Sequence, residues 1–546
     1  MVSDAAFFRL RIFETAPADL GAPGLKDLFD TGCLQQQSRT YELTNIPVGQ
    51  GYTVVYEGFS DLGCATRVAL GFRGGVGITE ASELPYYHVQ VYPAGDVATL
   101  PEEINLSASV ARAVDFCEAA DDCGAAEVCY DAAKPEYWCV PSCTTDADCK
   151  GIHVRASCDA DAGWCTLRSP FPLNLSEPRA FGAAVTLPDG DVLFVGGLRQ
   201  DGVGALLPTM HPLERFDAAS GLFVAAGVEG QVPPLGGDFG FAALGPSRFV
   251  TVGGFVKARV AWSGSGLGLS SETDGMSDDV IVWDTAAGSA KSVALPRTVA
   301  RSAVVRLADD RFFIAGGLVL GGSIEPSRLT SLCTVSDGAP VCEPGPMLVH
   351  PRQGAAAACL DAECRRVLIV GGNPSGTVAE VVDLTTNTAS ALETNGMGNK
   401  VFSPILCGLD LVGGSGELAR ASSLAAVRLS VSGSMLTATP IANAPTTTYM
   451  GSASGVDPSF GGSGECFVAG GLASGEGVQT TSNRIVRVTT EGASTLGPVL
   501  GRPRFGAVAA KIGSGLLAGS VLFAGGVTLD GEGPVKVVRG AEVLTP

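Results

Sequence analysis

An apolar strand ending in Gly-Gly occurs seven times in this chain. The copies are Val195-Gly196-Gly197, Val252-Gly253-Gly254, Ala315-Gly316-Gly317, Val370-Gly371-Gly372, Val412-Gly413-Gly414, Ala469-Gly470-Gly471 and Ala524-Gly525-Gly526. Recurrence on this scale means one supersecondary unit built repeatedly, each copy stacking on its neighbours to bury a shared core. Glycine is required where the second strand must end in a backbone conformation that a Cβ would obstruct, and where neighbouring chain passes close by.

Each unit opens with small or apolar residues on a strand (FGAAVTL, SAVVRL, FGAVAA) and turns at Pro, Asp or Gly. It then runs a second strand into Gly-Gly and adds third and fourth strands such as LERFDAASGLFVAAG. Four antiparallel strands per unit predict a propeller blade. The array resembles kelch repeats, whose marks are the double glycine and a later aromatic pair, met in the first unit by Phe216 and Phe223. Later units lack the aromatic pair, and the fifth, VFSPILCGLDLVGGSG, is short. The expected fold is all-β: a seven-bladed kelch-type propeller over 163–546, preceded by a β-sandwich over 1–105 and a disulfide-rich module over 106–162.

The sandwich is read from alternating segments such as FFRLRIF, YELTNIP, YTVVYEGFS, CATRVALGF and YHVQVYP, the pattern of half-buried strands. LTNIPVGQGYTVVYEGFSDLGC resembles the Ig-like or transthyretin-like accessory domains of bacterial surface proteins. The middle module contains two copies of a four-cysteine unit, CEAADDCGAAEVCYDAAKPEYWC and CTTDADCKGIHVRASCDADAGWC. So few residues cannot bury a core that offsets chain entropy, so covalent staples are expected. The spacing resembles Dickkopf-like cysteine-rich repeats of extracellular proteins. Zinc sites favour tighter cysteine knuckles with histidines, and the acidic pairs Asp146/Asp148 and Asp159/Asp161 do not supply a full oxygen shell for calcium. No metal or cofactor is expected.

The sixteen cysteines fall into even groups: Cys33 and Cys64; Cys117, Cys123, Cys129, Cys139, Cys143, Cys149, Cys158 and Cys165; Cys333 with Cys342; Cys359 with Cys364; and Cys407 with Cys466. Even grouping predicts disulfides and hence an oxidising compartment, extracellular or at the cell surface, the periplasm or outer-membrane surface included. Cys333/Cys342 and Cys359/Cys364 flank short turns and should each staple a hairpin. Cys407 and Cys466 could join adjacent blades. MVSDAAFFRL has no basic region, apolar core or cleavage site, so the reading is a mature chain whose export signal, with any lipid anchor it carried, has been removed. No run of about 18 apolar residues predicts a membrane span.

The formal net charge is -20, with eight lysines in the chain. Nucleic-acid binding draws on clustered Lys and Arg, so nucleic acid is not an expected partner. Kelch-type propellers include the galactose oxidase family, whose copper site requires two histidines and two tyrosines. Here the propeller region holds His211, His350 and Tyr449 alone, so that site cannot be assembled. No sialidase-type Ser-x-Asp-x-Gly-x-Thr-Trp box and no G-x-S-x-G elbow occurs, and both histidines sit beside prolines. Catalysis is not expected.

What remains is a surface. In a blade the loops joining second to third strands share one face with the lead-in to the first strand, and function concentrates on such loops. The longest runs from Phe255 to Asp279 and carries Trp262, an interface candidate. Arg179, Arg301, Arg352 and Arg504 recur at the first strand. They either ring the central channel to grip anions bidentately or are satisfied by neighbouring carbonyls. Together with Trp262, His211 and His350 they form the candidate binding set. The expected function is a non-enzymatic exported or surface-displayed protein that binds a protein or glycan. The alternatives are a degenerate carbohydrate-active propeller enzyme and a purely structural surface component. Closure of the ring is expected from Trp164–Arg168, pairing as an outer strand with residues 541–544.

Overall fold

The computed structural model describes the chain outside residues 1–4, 79–85, 94–101, 109–126, 131–137, 145–155, 168–174, 227–234, 413–425, 442–451 and 455–465, and outside shorter breaks within other loops. Every described element is a β-strand, and all but two of the described pairings are antiparallel. Two compact units divide the chain near residue 174, with short exchanges at 96–99 and 219–222.

In the first unit, eight strands form one hydrogen-bonded sheet. Phe7–Phe13 pairs along its full length with the long strand Gly49–Phe59, which pairs in turn with Arg67–Ile78. A sandwich predicts two sheets, whereas here a single sheet encloses the core. Leu43, at the far edge, packs with Phe8, Leu10, Ile12, Val54, Tyr56 and Val76. The register between the two long strands shifts at Gly49/Tyr52, Tyr52/Val54 and Gly58/Phe59, and such bulges bend a sheet sharply enough to fold it over its own face. Cys33 and Cys64 are joined by a disulfide.

Of the cysteine-rich module, two short hairpins are described: Glu127–Tyr130 with Trp138–Pro141, and Ala156–Asp159 with Trp164–Leu167. Cys129 lies opposite Cys139, and Cys158 opposite Cys165. Cys117, Cys123, Cys143 and Cys149 lie outside the described residues, as do His153, Asp146, Asp148 and Asp161. The second hairpin corrects the expected ring closure: Trp164–Leu167 pairs with Ala156–Asp159, while Ala541–Leu544 pairs with Val521–Ala524. A short turn closes the local hairpin at far lower entropic cost than pairing with the distant C-terminal strand.

In the second unit the Gly-Gly pattern becomes seven sheets, one per repeat, antiparallel except that Glu393–Asn395 adds in parallel to Met435–Pro440 at the edge of the fifth. The first has strands Ala183–Thr186, Val192–Val195, Leu213–Asp217 and Leu222–Ala225 in that spatial order. The second strands (VLFV, RFVTV, RFFIA, RVLIV, VLFA) are buried almost throughout, as expected of central strands covered on both faces. Apolar clusters fill each junction in sequence order. Leu193 and Phe249 pack between the first and second sheets, Val250 and Phe312 between the second and third, and Phe313 and Val367 between the third and fourth. Leu368 with Leu411, Val412 with Val468, and Phe467 with Phe523 continue the series. Phe216 and Phe223 meet edge to face, 5.5 Å apart, inside the first sheet.

The last sheet then meets the first. Thr186 donates its hydroxyl to Lys511 O (2.6 Å), and Gly513 N donates to Gly190 O (2.8 Å). Leu175 N and Arg179 N donate to Arg539 O and Val538 O. Among the described residues the seventh sheet has three strands, Val508–Lys511, Val521–Ala524 and Ala541–Leu544. The junction expected of the Trp164–Arg168 strand is made by the backbone of residues 175–181.

Both short-range staples stand as expected. Cys333–Cys342 bridges directly opposed residues of a hairpin, and Cys359–Cys364 clasps the turn after Ala356–Cys359. Cys407 is also disulfide-bonded; the side chain of Cys466 lies outside the described ones. No helix among the described residues is long and apolar enough to cross a membrane.

Candidate functional site

The Gly-Gly pairs explain themselves at the backbone. Both members take positive φ in every described pair, for example +59° and +108° at Gly253 and Gly254. The second glycine donates its N–H to a carbonyl in the next repeat's lead-in: Gly197 to Gly236, Gly254 to Val299, Gly317 to Arg352 and Gly471 to Arg504, at 2.7–2.8 Å. Gly526 makes the same bond to Arg179, in the first repeat. A Cβ on Gly253 would fall on Val299 O, so the pair is fixed by close approach as well as by φ.

Two residues further on lies a second backbone series. Phe181, Asp238, Arg301, Gly354 and Gly506 all have φ of 55–62°. Phe181 N donates to Gly506 O, Asp238 N to Phe181 O, Arg301 N to Asp238 O and Gly354 N to Arg301 O, at 2.7–2.9 Å. One unbroken hydrogen-bonded arc thus links five of the seven repeats and passes through the junction between last and first.

Three of the four candidate arginines belong to the fold. Arg179, Arg352 and Arg504 are 1%, 0% and 0% exposed. Arg179 donates to Gly196 O (2.7 Å) and His211 O (2.8 Å), Arg352 to Gly371 O (2.7 Å), and Arg504 to Gly525 O (3.0 Å) and Gly540 O (2.8 Å). Each therefore grips the first glycine of its own repeat's pair. Each also meets a buried carboxylate: Arg179 with Glu214, Arg352 with Glu380, Arg504 with Glu542. Burial lowers the pKa of Arg179 and of Arg352, and the paired glutamate opposes that shift. Of the two readings open at the sequence level, satisfaction by neighbouring carbonyls is the one realised.

The glutamates are the residues sequence reasoning passes over. All three follow the first residue of the third strand, in LERFD, AEVVD and AEVL. The signal that finds them is co-occurrence: the second repeat has Gly236 and Ile281 at the Arg and Glu positions, and the third has Val299 and Ser331.

Arg301 is out of register with the other arginines. It sits on the inner arc, its Nε bonds Asp238 (2.6 Å), and its guanidinium lies 5.5 Å from the Phe255 ring centre. His211 is exposed, with its N–H held by Glu177 and its carbonyl by Arg179, and His350 is half-buried. His211 is therefore held through its backbone.

The long loop with Trp262 is a hairpin, Ala258–Ser263 with Gly266–Ser271, in which Trp262 faces Leu267 across the ladder; the Trp262 side chain lies outside the described ones. Among the described residues, five connections between second and third strands form such hairpins, the others being Leu198–Gln200 with Ala205–Pro208, Leu318–Leu320 with Ile324–Pro326, Leu472–Gly475 with Val478–Thr481, and Val527–Leu529 with Val535–Val537. Leu198, Leu206, Phe255, Ala258, Leu318, Val527 and Val537 bury one shared apolar core beneath them. The face expected to carry loops thus carries a packed layer. Among the described residues no three metal-ligating side chains come together.

No protein-family profile matches the chain, and no curated protein matches it in sequence. A solved structure described as "Structure of YjhT" is similar over 68% of this chain and 96% of its own, at 12% identity and a TM-score of 0.37.

Proposed function

We propose that residues 174–546 form a closed seven-bladed propeller of kelch type that acts as a non-enzymatic binding scaffold. The seven sheets are its blades and the hairpin layer its recognition face. The observation that carries this reading is the pair of backbone series, through the second glycines and through the inner arc, that both return from the seventh repeat to the first. A ring locked by its own backbone is rigid, and rigid scaffolds are where binding loops are most effective. The disulfides fit an exported or surface-displayed chain. Arg179, Arg352 and Arg504 are engaged by the fold, so recognition falls to the hairpin layer, where Met210 is exposed at the end of the first hairpin. A glycan-array and secretome binding screen with the full chain tests this. Capture of a partner that weakens with Trp262→Ala or Met210→Ser supports it; turnover of a glycan substrate lost with His211→Ala or His350→Ala contradicts it.

A further inference from the structure

Ten buried side-chain polar atoms among the described residues have no hydrogen-bond partner, and five of them fall within one short strip: Arg297 Nε and Nη2, Thr298 Oγ1, Arg301 Nη2 and Ser302 Oγ. Native interiors leave few such atoms unsatisfied, and a cluster of them demands a cause. The backbone of this segment is hydrogen-bonded on both sides. Leu295 N and Val299 N donate to Asp278 O and Ser277 O, Val299 O accepts from Gly254, and Val299–Ala300 pairs with the hairpin strand Leu318–Leu320. The strip therefore belongs to the hairpin layer.

Arg297 is the anomaly within it. The Pro-Arg step that leads into the first, fourth and seventh repeats recurs in the third as Pro296-Arg297, two residues ahead of the position that meets the Gly-Gly pair. The third repeat also carries Ser331 where the others carry glutamate. Burial alone lowers the Arg297 pKa, with no carboxylate opposing it. Its two unsatisfied nitrogens, Nε and Nη2, form the side-on edge of the guanidinium, the edge that takes a carboxylate bidentately. Arg297 is half-buried, so side-chain rotation can present that edge to a ligand.

We propose that residues 297–302 are a binding strip for a carboxylated glycan, with Arg297 gripping a carboxylate through Nε and Nη2 and the Thr298 and Ser302 hydroxyls meeting ring or hydroxyl oxygens. This rests on the hairpin layer being the recognition face. All five unsatisfied groups can donate, so the missing ligand is rich in acceptors. The strip has no exposed large hydrophobic side chain, and Val299 and Ala300 are buried. Apolar and aromatic anchors are what protein partners use for affinity, so a polar polymer fits better than a peptide.

The probe is polygalacturonate, with dextran as the neutral comparator and polyglutamate as the peptide comparator, at about 0.15 M salt to screen the chain's own negative charge. The full chain should bind polygalacturonate and not dextran. Arg297→Gln should weaken binding about tenfold or more, the scale of a charged hydrogen-bond pair, without lowering the melting temperature. Arg428→Gln, which removes a surface guanidinium paired with Asp410, should leave binding unchanged. Equal binding by Arg297→Gln, or no binding of polygalacturonate, overturns the strip. Polyglutamate bound as tightly as polygalacturonate overturns the glycan assignment. If polygalacturonate fails while another partner binds and is lost with Trp262→Ala, the binding-face reading stands and this inference alone falls.

Discussion

The fourth repeat and the third stand side by side and solve the same problem differently. Both must present a carbonyl to a preceding glycine N–H, and both do, Arg352 O to Gly317 and Val299 O to Gly254. The fourth does it with a buried Arg352–Glu380 pair that also ties down Gly371 and, through Glu380, Val349 N. The third uses Val299, which packs with Leu295, Phe312 and Ile314. The backbone link is therefore made with or without the ion pair, which is an optional brace. A buried guanidinium is tolerated only with its carboxylate, which is why the described repeats carry both residues or neither at these positions.

This comparison breaks most visibly if one partner is removed. Glu380→Ala should leave Arg352 charged, buried and unpaired and cost about 3–5 kcal/mol in chemical denaturation. The double variant Arg352→Val with Glu380→Ile, which imports the apolar solution, should recover most of that loss. Recovery of none would mean the brace is more than local. The arginine is more than a charge here, since it grips Gly371 O, so Arg352→Lys should also destabilise.

Next in size is the backbone link shared by both repeats. Gly253→Ala places a Cβ at positive φ against Val299 O and should cost about 2 kcal/mol or more. Gly408→Ala, also at positive φ but with open space around it, should cost only about 1 kcal/mol. Equal losses would show that φ alone, and not contact between repeats, fixes the glycine pairs.

The smallest effect expected is one of pH. Asp30, paired with Arg9, and Asp61 and Asp383, which accept turn N–H and hydroxyl donors, all have pKa values lowered from the ordinary 3.8. Their folded forms prefer the charged state, so their contribution is present at neutral pH and is lost as pH falls through and below the carboxylate range. Asp383 belongs to the fourth repeat, and Asp383→Asn should flatten only a small part of the acid limb of a stability–pH curve.

Much of the architecture is legible because it repeats. The Gly-Gly pairs, the central strands and the two hairpin staples follow from pattern and spacing, and the arginines stand out for the same reason. Their role does not, because a guanidinium is read by its partner, and the glutamates lie well downstream, beyond the second strand, where they resemble ordinary polar positions. Arg301 looks equivalent to the other arginines in the aligned string, yet the residue that meets the Gly-Gly pair here is Val299, so Arg301 falls two residues further on, at the position of Phe181 and Asp238. Hairpins within Gly- and Ser-rich connections look like loops since their strands lack alternation. The closing strand is misassigned from sequence because Trp164–Leu167 has strand character without any local sign of its partner.

The central claim is that the array closes on itself. Nitroxide labels at Asp189→Cys and Ser514→Cys, read by double electron–electron resonance in the oxidised full chain, test it directly. Their neighbours Gly190 and Gly513 are hydrogen-bonded to each other although they belong to the first and the last repeat. A closed ring predicts a single short distance, below about 20 Å, or twice the spacing of stacked sheets. An open stack of seven sheets would place the labels about 60 Å apart, and that result would contradict the account.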